Sequence, residues 1–189
     1  MAYNSIVPGI TFESKKVVLT APGSEVLKGS VKWDGGKDAF KQGIPLIDFP
    51  SFNSRSPGEA SSTSGHQTSS LSYQPVKAHI VFDKTTARVL NPLVQGNNLQ
   101  KIVITETGRA SNVGEVTLRT LTLTNGYLVR VRWYWDETLS TAITPGGVLE
   151  LSFIYTAVNL TANQFDASMN PTGVSTSGAD ITKAAVIAS

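Results

Sequence analysis

The chain has 189 residues and no cysteine, with a formal net charge of +2; it is 40% hydrophobic but only 16% charged. The missing cysteine excludes disulfide frameworks, zinc–thiolate sites and cysteine nucleophiles. Its cations are scattered, with no run longer than Lys15-Lys16, so the dense basic stripe that neutralises phosphates in nucleic-acid-binding proteins is not present.

The length fits one domain, able to bury about 70% of its unfolded surface without metal or disulfide staples. A charged fraction well under the usual ~25% is expected where much of the surface faces other subunits. A Ser/Thr-rich monomeric β-protein is the alternative. The start, Met1-Ala2-Tyr3-Asn4-Ser5, lacks the basic and apolar regions of a signal peptide. No apolar run approaches the ~18 residues of a membrane span. The expectation is synthesis and assembly in the cytoplasm, with any export done by another machine.

In chain order, Val17-Val18-Leu19 reads as a strand before Ala21-Pro22-Gly23. A second strand over 26–33 stops at Asp34-Gly35-Gly36, a strong turn signal. Residues 44–50 hold Pro45 and Pro50, which fits an edge or loop better than a central strand. Residues 51–72 are rich in serine and have almost nothing to bury. A stretch longer than about 12–15 residues without structure is functional or disordered. It is either a floppy linker or an arm that orders against a neighbouring subunit.

Val76, Ala78, Ile80 and Phe82 alternate with Lys77, His79 and Val81, the period of a half-buried strand. A short or kinked helix follows. Thr86 can cap it, Ala87, Val89, Leu90, Leu93 and Val94 share one side, Pro92 interrupts it, and Gly96-Asn97 closes it. Residues 99–105 read as a strand with Ile102 and Ile104 on one face, and 108–114 as a turn.

Within 116–135 the apolar phase slips near Arg119-Thr120, which predicts a bulge or bend. Tyr127, Val129, Val131, Trp133 and Trp135 then form an odd-numbered apolar face opposite Arg130, Arg132 and Asp136. Asn125-Gly126 is a hairpin signal. A three-residue loop would keep apolar residues paired, and one long strand kinked at this point is the other reading. Thr144-Pro145-Gly146-Gly147 is a turn. Residues 148–158 read as one strand, apolar on both faces, in a barrel wall covered from outside. Residues 161–189 are small and polar before Ala184-Ala185-Val186-Ile187-Ala188, and read as an extension able to dock on a neighbour.

Chemistry is sparse. The two histidines, His66 and His79, have no second ligand near them in sequence, so solvated or interface roles outweigh metal binding. No G-x-S-x-G elbow is present, and a Ser-His-Asp set is unsupported. Asp34, Asp38, Glu106 and Glu115 read as turn carboxylates rather than paired glycosidase acids. Gly35-Gly36-Lys37 lacks the spacing of a phosphate loop. Trp133 and Trp135 share a face, so core or subunit contact is favoured over stacking on sugars or bases. No catalytic residue, cofactor or metal is expected.

Residues 73–160 resemble the haemolysin-coregulated protein (Hcp) family of type VI secretion. The matching features run in order: Tyr73-Gln74-Pro75-Val76 opening a strand that ends at Phe82-Asp83-Lys84, the amphipathic segment 86–94 and Gly96, the strand 99–105, then 118–124, 127–135, a glycine turn and 148–158. The opening strands within 12–33, the long loop 51–72, Pro92 and the tail beyond Leu160 depart from the family pattern.

The resemblance implies an all-β fold with one short helix, a small β-barrel of the Hcp and phage tail-tube type. It implies a barrel over 1–160, with the loop 51–72, and an extension over 161–189. It also implies hexameric rings stacked into a hollow tube that carries effectors, with a spike, a sheath and effector cargo as partners, no nucleic acid and no membrane insertion. Phe52, Arg55, His66, Tyr73, Trp133 and Trp135 are the expected subunit contacts. A phage tail-tube or capsid-like subunit, and a carbohydrate-binding or adhesive β-module, are the alternatives.

Overall fold

The computed structural model describes residues 14–22, 43–50, 74–81, 86–110, 114–135, 147–166, 168, 170–181 and 185–188. The predicted strand at 26–33, the turns at 34–36 and 144–146, and the serine-rich stretch 51–72 lie outside them.

The described elements are β1 (Ser14–Thr20), β2 (Ile44–Leu46), β3 (Val76–Val81), α1 (Thr86–Gln95), β4 (Lys101–Ala110), β5 (Gly114–Thr124), β6 (Tyr127–Tyr134), β7 (Val148–Ile154), β8 (Ala157–Phe165), β9 (Pro171–Asp180) and β10 (Ala185–Ala188). They form one ten-stranded sheet in the order β10-β9-β8-β5-β4-β1-β2-β3-β7-β6. All of its strand pairs are antiparallel.

Connectivity forces this sheet to curl. β5 and β6 stand fourth and tenth in the ladder, yet only Asn125 and Gly126 join them. β7 and β8 stand ninth and third, joined by only Tyr155 and Thr156. Six inter-strand steps would span roughly 29 Å in a flat sheet. Two linking residues reach at most about 11 Å. The two wings must therefore fold back on each other around the core. This is the predicted all-β, barrel-like architecture with one short helix, although its hydrogen-bonded ladder is open, with β10 and β6 as its ends among the described residues.

The two corners are bonded together. Thr156 N donates to the Thr124 carbonyl at 2.9 Å, and Ile181 N to the Thr156 carbonyl at 2.8 Å. The Asn125 side-chain amide donates to the Thr156 hydroxyl at 3.1 Å, and Leu99 N to the Gly126 carbonyl at 2.9 Å. Asn125 turns the chain with φ +49°, a left-handed conformation that asparagine tolerates. A Cβ on Gly126 would run into the Ile102 side chain, so the corner has no room for one. The hairpin at Asn125-Gly126 is thus not formed: β5 pairs with β4 and β8, and β6 with β7. The kinked reading is the one observed.

Inside the curl lie Leu19, Ile44, Val76, Ala78, Ile80, Ile102, Ile104, Leu121, Leu123, Leu151 and Phe153, all buried in one cluster. The alternation read for β3 is present, with Val76, Ala78 and Ile80 inward. The predicted phase slip in β5 is a bulge. Glu106 faces Arg119 and Thr107 faces Thr117, which leaves Leu118 as the extra residue. Helix α1 runs its ten residues with Pro92 inside. It ends in a Schellman cap, with Gly96 at φ +62°, Gly96 N bonded to the Leu93 carbonyl and Asn97 N to the Pro92 carbonyl.

Four expectations fail. Residues 44–46 are an interior strand rather than an edge, but a minimal one that meets β3 at a single pair, Leu46 with Ile80. The strand expected over 148–158 breaks at Tyr155-Thr156, because β7 and β8 belong to opposite wings. The turn expected over 108–114 is largely strand, since β4 runs on to Ala110 and Gly108 pairs with Val116. Glu106 and Glu115 are therefore strand residues, and Glu106 is buried. Beyond β8 the chain adds β9 and β10 as a meander on the same sheet. At the β8–β9 turn the Asp166 carboxylate accepts hydrogen bonds from the Ser168 and Asn170 amides at 2.8 and 2.9 Å.

Candidate assembly surface

β6 is an edge strand, and its pairing explains what it shows to solvent. Leu128 faces Phe153 and Arg130 faces Ser152, so Val129 has no partner of its own and forms a bulge. Before the bulge the core-facing residue is Leu128; after it, Val131, opposite Leu151. The continuous odd-numbered face expected from Tyr127 to Trp135 is broken there, and Val129 is exposed.

Trp133 lies opposite Leu149, so it stands on the core-facing side of the sheet. The core ends before reaching it, and the residue is 61% exposed. Trp135, just past the strand, is 62% exposed. Neither indole belongs to the core of this chain. Helix α1 packs against β6 and is also incompletely covered. Val89 and Pro92 are buried and Leu93 partly so, whereas Leu90 is half-exposed and Val94 is 82% exposed. The helical apolar side expected from sequence is therefore wider than the core it meets. Large apolar side chains left open on an edge strand and an adjacent helix are what a contact surface shows before its partner arrives.

The opposite face of β3, β7 and β6 is charged. His79 faces Glu150 and Glu150 faces Arg132 across three adjacent strands. The His79 Nδ1 lies 3.3 Å from Asp48 Oδ1, and its Nε2 lies 3.7 Å from Glu150 Oε2. Lys77 Nζ approaches Glu150 Oε1 at 3.7 Å. The hydrogen bond to Asp48 is the main cause that raises the His79 pKa above its ordinary value; burial opposes it, and the charges of Asp48 and Glu150 add to the rise. Glu150 itself is buried, in the middle of the row.

A second buried carboxylate closes one end of the core. Val17 faces Glu106 and Glu106 faces Arg119, so these residues share the core-facing side. The Arg119 Nε donates to Glu106 Oε2. Lys15 Nζ lies 4.0 Å from the other carboxylate oxygen. The Arg119 guanidinium also sits over the Phe49 ring, 3.9 Å from its centroid.

In each cluster the buried carboxylate has basic side chains beside it, Lys77 and His79 at Glu150, Arg119 and Lys15 at Glu106. Among the described residues no group of three or more His, Asp or Glu side chains is placed to hold a metal ion. Of the expected contact residues, Phe52, Arg55, His66 and Tyr73 lie outside the described residues, while Trp133 and Trp135 come together at the β6 edge. Sequence reading placed His79 on the polar side of its strand, as found, but missed its partners Asp48 and Glu150. It also missed Glu106–Arg119. Only the strand register brings these residues together.

A family model described as "Type VI secretion system effector, Hcp" matches residues 24–161. The chain belongs to the Hcp family. The match spans β2 to β7, the helix and the first half of β8. Solved structures share the fold. Hcp1 from Salmonella typhimurium aligns with a TM-score of 0.64 at 14% identity, covering 92% of this chain and 99% of that one. Secreted protein Hcp3 from Pseudomonas aeruginosa aligns at 0.57 and 12%, covering 88% and 98%. A type VI secretion system effector from Yersinia pestis aligns at 0.55 and 13%, covering 87% and 98%. No curated protein matches by sequence. The chain is thus an Hcp protein of type VI secretion.

Proposed function

We propose that this Hcp protein is a structural subunit without catalytic activity. It closes with copies of itself into hexameric rings that stack into a hollow tube. Spike, sheath and effector cargo are its partners, and the tube assembles in the cytoplasm before the machine exports it. The observation that carries this reading is the uncovered apolar margin of β6 and α1, formed by Trp133, Trp135, Leu90 and Val94 on a chain of this family. A heterologous contact that closes makes a ring, and stacking lengthens it. In the same reading the serine-rich arm, with Phe52, Arg55, His66 and Tyr73, reaches a neighbouring subunit. Residues 161–189 form an extension that docks on a neighbour.

Size-exclusion chromatography with light scattering, followed by negative-stain electron microscopy, tests it. Rings with an open centre are expected. A monodisperse monomer at every accessible concentration, with no rings or tubes on the grid, rejects it.

A further inference from the structure

The chain leaving β2 is bonded to the neighbouring strand β3 at His79. Ile47 N donates to the His79 carbonyl at 2.9 Å. The next residue, Asp48, reaches the ring of that same histidine. Phe49 packs at the edge of the core under the Arg119 guanidinium. From Pro50 the sequence runs directly into the serine-rich stretch. His79 therefore connects the foot of that stretch to the sheet by both its backbone and its side chain.

The other side of the ring faces Glu150 on β7. A neutral imidazole carries one N–H and can donate to only one of these two carboxylates; an imidazolium donates from both nitrogens. Two further cations bear on the row. Lys77, on the same strand, is 3.7 Å from Glu150, and Arg132 on β6 is opposite Glu150 in register. Glu150 thus has other cations beside it whichever state the ring adopts. Asp48 meets the sheet through the histidine ring, and its side chain is half-exposed. Loss of the ring's proton falls mainly on the Asp48 contact.

We propose that His79 is a proton-operated tie between the segment 47–50 and the β3–β7 face, tight when the ring is cationic and slack when it is neutral. The direction follows from linkage. A histidine whose affinity for protons is raised by folding contributes stability that is fully present below its unfolded pKa. That contribution is lost as pH rises through the folded value. The tie is tight in mildly acidic medium and slackens toward alkaline pH, and through Asp48 it reaches the base of the arm.

Hydrogen exchange of the full-length protein, read by mass spectrometry on peptides covering 44–50 and corrected for intrinsic exchange, tests the tie. Between pH 5.5 and 8.5, protection of this segment is expected to fall roughly two- to fivefold, the range for a half-exposed ion pair. Protection of 102–104 and 149–153, in the core, should stay constant. Asp48→Asn, at a half-exposed position, should remove the pH step while leaving the melting temperature at pH 8.5 unchanged. NMR titration of His79 in the same variant should move its midpoint downward. Equal protection of 44–50 at both pH values overturns the proposal, and so does a pH step that survives Asp48→Asn.

Discussion

Glu106 and Arg119 face each other across β4 and β5 where the core-facing side of the sheet changes from apolar to charged. One row further in, Ile104 faces Leu121 and both are fully buried. The pair is therefore an end plug, with Lys15 beside it and Phe49 stacked on it. The two partners differ in burial: the Glu106 side chain is 7% exposed and that of Arg119 is 39% exposed.

Removing either partner should accordingly have unequal effects. Arg119→Leu leaves a buried carboxylate with Lys15, at 4.0 Å, as its one cation among the described residues, and should destabilise the fold by about 2–4 kcal/mol. Glu106→Gln leaves a cation that can turn to solvent, and should cost about 1 kcal/mol. Urea denaturation of both variants checks this. Equal losses, or the reverse order, contradict the plug.

The corner at Gly126 should not accept a methyl group. Its Cβ would press on Ile102, which is fully buried and cannot yield freely. Gly126→Ala is expected to cost about 1–3 kcal/mol by overpacking. Gly96→Ala makes a useful contrast. That site has open space around it, so any loss there arises from its positive φ alone. Pairing Gly126→Ala with Ile102→Val should restore part of the loss at Gly126 and none of the loss at Gly96.

Much of this was legible in the sequence. The alternation of Val76, Ala78 and Ile80, the Gly96 cap and the slip read near Arg119-Thr120, found as the bulge at Leu118, are local patterns, and local patterns survive folding. Pairing was not legible. Nothing in Tyr155-Thr156 marks a turn, because the chain there changes wings rather than reversing direction, and the corner is made by bonds from Thr124 and Ile181. Glu106 read as a turn residue because a lone carboxylate signals exposure until its cation is found thirteen residues away on the next strand. For the same reason the histidine row could not be assembled: Asp48, His79 and Glu150 become neighbours only through the register of β2, β3 and β7. The tryptophans read as core or subunit contacts; Trp133 does stand on the core-facing side, opposite Leu149, but both indoles lie past the end of the core, and where the core ends is not written in the alternation.

Trp133→Lys and Trp135→Lys should separate assembly from folding. Both side chains are more than half exposed, so each change should alter monomer stability by less than about 1 kcal/mol. Under the proposed function, the double variant should elute at a smaller mass than the parent protein at equal concentration, with an unchanged circular dichroism spectrum. An unchanged elution position removes the tryptophans from the interface.

Stability should also depend on pH through His79. Its raised affinity for protons favours the folded state at pH 5.5, and that gain disappears as pH rises past the folded midpoint. The stability difference between the parent protein and His79→Gln should therefore be larger at pH 5.5 than at pH 8.5. Chemical denaturation at the two pH values measures it, and a difference that grows toward alkaline pH contradicts the assignment.

The paired corners also shape the route to the native state. Because β5 continues into β6 and β7 into β8 across the molecule, neither wing can be finished by zipping up neighbours along the chain. β1 must wait for partners from distant parts of the sequence on both sides, β2 and β4. Chains dominated by such long-range pairings fold in milliseconds to seconds rather than microseconds. Throughout that interval, incomplete strands stay open to strangers, which makes early encounter with sister molecules a matter of timing as well as of shape.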